Sequence, residues 1–348
     1  MKQFRRTSGL VGLALLVWAV PAWGAAYDEL VPWSTINGAG ASTSHFAMAI
    51  EGQTSYHNLT FPGRITRVDN LNGTQTMTEL ISSAQWTIAN GGATSNMSGY
   101  YGFGVSGDYL QFAESGTDAV WRVDKNTPGT ITEYVSKAQI GVYNGLGTAQ
   151  LLSPAVVAPN GEMTFYEGSS DSILQTAGAG NLITVVSAAD LTTYTGNTSV
   201  SGGLGYDADG TLYWGNSTND DFWKRTSDGT ISQVLTTAEV IAVTGAATVG
   251  PRDIFPAPDG WIYMGELTSG HILRFKSYDP AGTLQIYRTK NQLLNGPAGS
   301  SSMVCLDWYE DAGLAFHRFN DYGLYVIPEP ASLSLLGLGA LVLLRRRR

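Results

Sequence analysis

The sequence is short of cysteine, of charge and of long apolar runs. A single cysteine, Cys305, stands among 348 residues, so no internal disulfide can form and stability rests on a buried core. It lies in the apolar run Met303-Val304-Cys305-Leu306, the setting of a small buried hydrophobe rather than of a reactive thiolate. Only 14% of residues are charged, but 43% are hydrophobic, a balance that speaks for a packed chain and against disorder. Positive charge is scarcest in the middle: residues 25–330 hold 13 of the 20 Lys and Arg and all 29 Asp and Glu, a net charge of −16. Such a domain repels phosphate backbones, which excludes nucleic acid as a partner. The four histidines, His45, His57, His271 and His317, show no pairing on one face with a carboxylate, so no catalytic metal motif is legible. No Gly-x-Ser-x-Gly, Walker loop or dinucleotide fingerprint occurs in a strand-to-helix context.

The two apolar runs lie at the ends. Met1 to Arg6 carries three basic residues, Leu10 to Val20 is apolar, and Pro21-Ala22-Trp23-Gly24 offers small residues for a cut after Gly24. This order predicts a secretory signal peptide over residues 1–24. At the other end, Pro328-Glu329-Pro330 precedes an uncharged stretch from Ala331 to Leu344 and then Arg345, Arg346, Arg347 and Arg348. As a helix, that stretch would measure roughly 21 Å at about 1.5 Å per residue, short of a hydrocarbon core of about 30 Å. It spans only with local thinning or snorkelling, and the arginines stay cytoplasmic.

Between the ends, glycine sets a period. Turn-type glycines recur at Gly52, Gly107, Gly161, Gly210, Gly260 and Gly313, at intervals of 49 to 55 residues. A second one follows 19 to 22 residues later at Gly73, Gly129, Gly180, Gly229 and Gly282. Pairs such as Asn160-Gly161 and Asp228-Gly229 are tight-turn signals, and the segments between them are short, aromatic and β-branched, as around Thr211 to Trp214 and Thr230 to Leu235. Four strands per unit of about 50 residues predicts a propeller blade. After each fourth strand comes an echo, Ser83-Ala84-Gln85, Lys137-Ala138-Gln139, Ala188-Ala189-Asp190, Thr237-Ala238-Glu239 and Lys290-Asn291-Gln292, read as a linker with a short helical turn. The last unit, Met303 to Ile327, holds three strands, while a spare one lies at Asp28 to Trp33. The expected fold is therefore all-β: a six-bladed propeller over residues 25–327, closed by the N-terminal strand, with a sorting tail over 328–348.

Two resemblances follow from these residues. The Pro-Glu-Pro motif, apolar stretch and arginine cluster resemble a PEP-CTERM sorting signal, which implies an exosortase-type membrane protease as partner, insertion in the inner membrane before processing, and an exopolysaccharide-producing host. The blades resemble NHL-type six-bladed propellers, in which an acidic residue ends the second strand and a basic one lies in the third. Here the acidic slot holds Glu114, Glu167, Asn216 and Glu266, and the basic slot Arg67, Arg122, Arg225 and Arg274.

A ring formed by the acidic slots at a channel mouth is a candidate Ca²⁺ or sugar site. The competing expectation is that Glu114 pairs with Arg122, and Glu266 with Arg274, within their own blades. Residues at the start of each first strand are expected to line the channel: His45, Tyr100 or Tyr101, Val156, Leu204, Arg252 with Asp253, and Met303. Two functions compete. One is a non-catalytic surface protein that binds exopolysaccharide or a matrix protein and needs no cofactor. The other is a calcium-dependent lactonase or gluconolactonase-like hydrolase, with Ca²⁺ in the channel.

Overall fold

The tight turns and alternating short strands build six separate four-stranded antiparallel sheets, arranged as the blades of a propeller. The computed structural model describes residues 28–38, 45–97, 102–216, 218–294, 303–310, 313–318 and 323–328. The expected signal peptide, Tyr100, Tyr101, Glu329, Pro330 and Arg345 to Arg348 lie outside the described residues.

Five blades are continuous in sequence. In the fourth, Val200–Tyr206, Leu212–Asn216, Phe222–Arg225 and Ile231–Leu235 pair in order. The linkers after the first five blades are helices, and each starts for a local reason. Ser82, Ser136, Ser187, Thr236 and Thr289 each cap a helix and are capped in return by Gln85, Gln139, Asp190, Glu239 and Gln292, so two orphan backbone donors are satisfied at once. The inner strands of neighbouring blades pack closely. A Cβ added to Gly203, which sits at φ +86°, would meet the backbone nitrogen of Ile254 at 2.7 Å, so only glycine fits there.

The sixth blade is composite. Its strands Met303–Tyr309, Gly313–Arg318 and Leu324–Pro328 are completed by Asp28–Val31, with Asp28 opposite Val326, Glu29 opposite Tyr325 and Val31 opposite Leu324. Val31 and Leu324 are wholly buried, together with Ile36, Leu59 and Tyr309, in a cluster that joins blade six to blade one. The helix Trp33–Asn37 that follows is held to blade one: Arg64 Nη2 donates to the Asn37 carbonyl at 3.0 Å and Thr66 Oγ1 to that of Ile36 at 3.1 Å. One N-terminal segment thus completes one blade and grips the next.

Removing that grip should open the ring. Val31→Asp places a charge in the closing cluster and should cost about 3 kcal/mol or more in urea unfolding, whereas Asp28→Ala, on the exposed start of the same strand, should stay within about 0.5 kcal/mol. Equal midpoints for the two variants would show that the N-terminal strand is dispensable.

Candidate functional site

A cavity of about 570 Å³ runs along the propeller axis, lined by the first strands of all six blades. Its walls include the first-turn residues Gly107, Pro159, Gly161 and Ala208, so it reaches the face on which the first hairpin turns lie. Of the expected channel residues, Val156, Leu204 and Asp253 line it, and Arg252 stands beside Asp253 without contributing to the wall. His45 and Met303 begin first strands, but their side chains lie outside the described residues.

Three carboxylates line this cavity: Asp207, which holds its own first turn by accepting from Asp209 N, Thr211 N and the Tyr213 hydroxyl, and the pair Asp253 and Asp307. Each first strand is the inner edge of its sheet and presents unpaired N–H groups to the channel. Asp253 uses one oxygen for its neighbour's N–H, Ile254, at 2.9 Å and the other for the N–H of Leu306 in the next blade at 2.7 Å. Asp307 repeats the device one blade on, accepting from Trp308 N at 2.7 Å and from Ile50 N of blade one at 2.6 Å. They bridge blade six to both its neighbours. Burial pushes the Asp253 carboxyl up to about 7, against the two N–H donors and the charge of Arg252. Burial does the same to Asp307, also to about 7, with the charge of Asp253 adding to it and its N–H donors opposing. Cys305 lines the cavity between them. Burial, and then the two carboxylates, raise its thiol well above the ordinary range, which keeps it protonated and poorly nucleophilic. Sequence reasoning missed Asp307, although an acid inside the apolar run Val304 to Tyr309 was the available signal.

The acidic slot lies elsewhere. Glu114, Glu167, Asn216 and Glu266 are almost wholly buried, and each turns into its own blade to hold the turn between the second and third strands. Glu114 accepts from Gly116 N at 3.0 Å and from Thr117 N and Oγ1 at 2.6 and 2.8 Å. Glu266 accepts from Thr268 N and Ser269 N at 2.9 and 2.5 Å, and from Gly250 N at 2.8 Å. Glu167 accepts from Ser169 N, Ser170 N and Gln150 N. Asn216 Oδ1 accepts from Thr218 N at 2.9 Å. In blades three and five the slot therefore also ties down the linker that enters the first strand.

The arginine pairing expected for these acids is not what holds them. Glu114 is opposite Ala119, whereas Arg122 is opposite Gln111, about 10 Å further along at 3.4 Å per residue. Arg122 instead lies over the Tyr134 ring, at 3.3 Å, and Arg274 over Trp261 and Tyr287, at 4.2 and 4.5 Å. Register, not charge, decides the partner: an offset of three residues, an odd number, puts Glu114 and Arg122 on opposite faces of the sheet.

Calcium takes six to eight oxygens around one point. Among the described residues no three His, Cys, Asp or Glu side chains are placed to hold a metal ion, and the slot acids do not line the cavity.

These environments fix two pH responses of opposite sign. Because Asp253 and Asp307 are shifted up, the native state binds more protons than the unfolded chain between the ordinary carboxylate range and about pH 7, so their contribution to stability is lost as pH rises through that window. Asp253→Asn and Asp307→Asn should therefore gain thermal stability relative to the parent from about pH 4 to about pH 7; parallel melting profiles would contradict the assignment. Burial alone would raise the Glu167 carboxyl, but donors from Ser170, Gln150 and Ser169 outweigh it and hold it low. Its contribution is present above the carboxylate range and lost as pH falls through it. Glu167→Ala should cost about 1–3 kcal/mol at neutral pH, and less in acid, by the same melts.

Residues 326–348 match the PEP-CTERM protein-sorting motif. Such a tail is the kind processed by exosortase, a membrane protease, and implies export with membrane anchoring before processing. Among the described residues no helix is long and apolar enough to cross a membrane. No curated protein matches the sequence. Solved structures do match the fold. A gluconolactonase from Xanthomonas campestris is 14% identical over 87% of this chain and 89% of its own, with a TM-score of 0.57. A calcium-binding regucalcin from Agrobacterium tumefaciens is 11% identical over 83% and 92%, at 0.54. Virginiamycin B lyase from Staphylococcus aureus is 14% identical over 87% and 99%, at 0.53. Identities this low speak for architecture alone. The chain is a six-bladed, all-β propeller with gluconolactonase-like structural neighbours, and it carries a PEP-CTERM sorting motif at its C-terminus.

Proposed function

We propose that the protein is a non-catalytic surface propeller, exported behind a signal peptide over residues 1–24 and processed at a tail over 328–348. Residues 25–327 then bind exopolysaccharide or a matrix protein at the cell surface or beyond it. The observation that carries this reading is the exposure of tyrosine and apolar side chains on two successive linker helices. Tyr143 at the end of Lys137–Tyr143 and Tyr194 in Ala188–Thr195 are 42% and 48% exposed, beside Val142 at 80% and Leu146 at 54%. A shallow groove of about 390 Å³ adjoins Tyr143 and is lined by Gln139 and Asn181. Half-exposed tyrosine rings with amide and hydroxyl neighbours suit a sugar ring, which offers apolar faces and polar edges.

The hydrolase reading, with Ca²⁺ as its metal, draws on the gluconolactonase and regucalcin neighbours. It lacks support from the acids that were its candidate ligands, because their oxygens are occupied by backbone N–H groups of their own turns.

The two readings separate in one set of measurements. The processed protein should co-sediment with exopolysaccharide or extracellular matrix from the producing cells, and Tyr143→Ala with Tyr194→Ala should weaken this by about 1–3 kcal/mol, the range of a lost aromatic contact. Calcium-dependent thermal stabilisation together with hydrolysis of a sugar lactone would overturn the binding reading in favour of the hydrolase.

A further inference from the structure

Charge is spread unevenly around the ring. Between Lys137 and Lys224 the chain runs for 86 residues with eight Asp and Glu and no Lys, Arg or His. The groove beside Tyr143 is built wholly from this stretch, between the helix Lys137–Tyr143 and the turn that joins the third and fourth strands of blade three. Its walls are neutral throughout: Val142, Tyr143 and Leu182 supply apolar and aromatic surface, and Gln139 and Asn181 supply amides. Val142 and Ile183 extend the apolar surface outward, at 80% and 46% exposure.

The polar groups of the groove are set before any ligand arrives. The Tyr143 hydroxyl bonds the Thr184 hydroxyl at 3.0 Å and so ties the ring to the fourth strand of blade three. Gln139 Oε1 is occupied by the N–H and hydroxyl of Ser136, which leaves its NH2 as a donor. A side chain at Gly180 would collide with that nitrogen, so glycine keeps the space open. The charges nearest the groove are already engaged. Lys137 donates to Asp118 at 2.6 Å. Glu162, beneath the turn, accepts from Gly178 N at 3.2 Å and pairs with Arg122 at 3.8 Å. Neither cation is left over for an incoming carboxylate. Exposed Glu133 adds negative charge next to Tyr134, whose carbonyl accepts from Gly180 N at 3.1 Å.

We propose that the Tyr143 groove takes an uncharged polysaccharide and that its surroundings exclude uronic-acid polymers. This rests on the polysaccharide-binding reading above and narrows it to one charge class. The C–H face of a neutral hexose covers Tyr143 and Val142, and its hydroxyls meet the amides of Gln139 and Asn181. A uronate carboxylate loses water in the same place without gaining a cation, and the field of a domain with net charge −16 repels it as it approaches. Salt screens only the second of these effects, since the Debye length falls from about 30 Å at 0.01 M to about 10 Å at 0.1 M. An amino-sugar polymer is attracted by the same field, but the groove offers its ammonium no carboxylate.

The test measures the full chain, in mild detergent, against immobilised polymers of three kinds: neutral (dextran, galactomannan and xyloglucan), acidic (polygalacturonate) and amino-sugar (chitosan). The expected result at low salt is that at least one neutral polymer binds about tenfold or more tightly than polygalacturonate, and that Tyr143→Ala weakens it about tenfold. Raising the salt should leave neutral binding within about twofold and narrow the gap by improving the acidic polymer. Ala138→Lys, at an exposed position on the groove wall, should raise polygalacturonate affinity several-fold with little change for the neutral polymer. Polygalacturonate that binds the parent as tightly as any neutral polymer, through Tyr143, would overturn the charge class. Chitosan that binds more tightly than all of them and is lost as salt rises would overturn it from the other side. A chain that retains none of the polymers would instead overturn the polysaccharide-binding reading itself.

Discussion

The structure depends on the closure of its ring. Blades one to five are each complete in sequence, and each buries its faces only against neighbours. Were blade six left with three strands, Leu324–Pro328 would expose a row of unpaired backbone groups at the one place where the ring can open. Asp28–Val31 fills that edge, and the helix Trp33–Asn37 carries the connection into blade one. The buried cluster around Val31, Ile36, Leu59, Tyr309 and Leu324 draws on blade six, blade one and the N-terminal segment together. No single blade holds that cluster, so its burial is gained only when the ring shuts.

The channel inherits a second constraint from the same geometry. Six inner edge strands converge on the axis, and their inward N–H groups cannot pair with one another as a sheet would. Between blades four and five the backbones come so close that Gly203 leaves no room for a side chain. Around blade six the gap is instead crossed by Asp253 and Asp307. A buried carboxylate is costly, yet one that accepts two backbone donors offsets part of that cost. The upward shift of both groups records the remainder. The most conspicuous acids in the channel are thus already engaged in holding the last blade to its neighbours.

What was legible in the sequence is what is local. Gly107, Gly161 and Gly210 have positive φ, and a turn that needs such a residue announces itself in one dipeptide. The capping boxes are equally local, a Ser or Thr with Gln, Asp or Glu three residues on. The missing strand of blade six could be counted. What failed was register and depth. The expected pairing put Glu114 and Arg122 on one face, whereas the register puts them on opposite faces, where Glu114 curls back onto Gly116 and Thr117 and Arg122 finds Tyr134. Asp307 went unseen because its partner, Ile50 N, is 257 residues away and exists only once the ring is closed. The acidic slots were expected to ring the channel mouth, whereas the cavity is lined by first strands and first turns without them.

The division of blade six into one N-terminal and three C-terminal strands also decides where the chain leaves. In every blade the first and third strands run toward the first-turn face, and the second and fourth run back toward the linkers. A closure with two strands from each end would finish on a second strand and lead the chain out at the other end of the blade. Closure by a single N-terminal strand finishes on a third strand, so the tail emerges next to Gly313 at the opposite face. The start of the N-terminal strand lies there too, since Asp28 is opposite Val326 near the end of Leu324–Pro328. Both ends of the described propeller therefore issue from one face. The same strand that shuts the ring thus also determines from which face the chain leaves it.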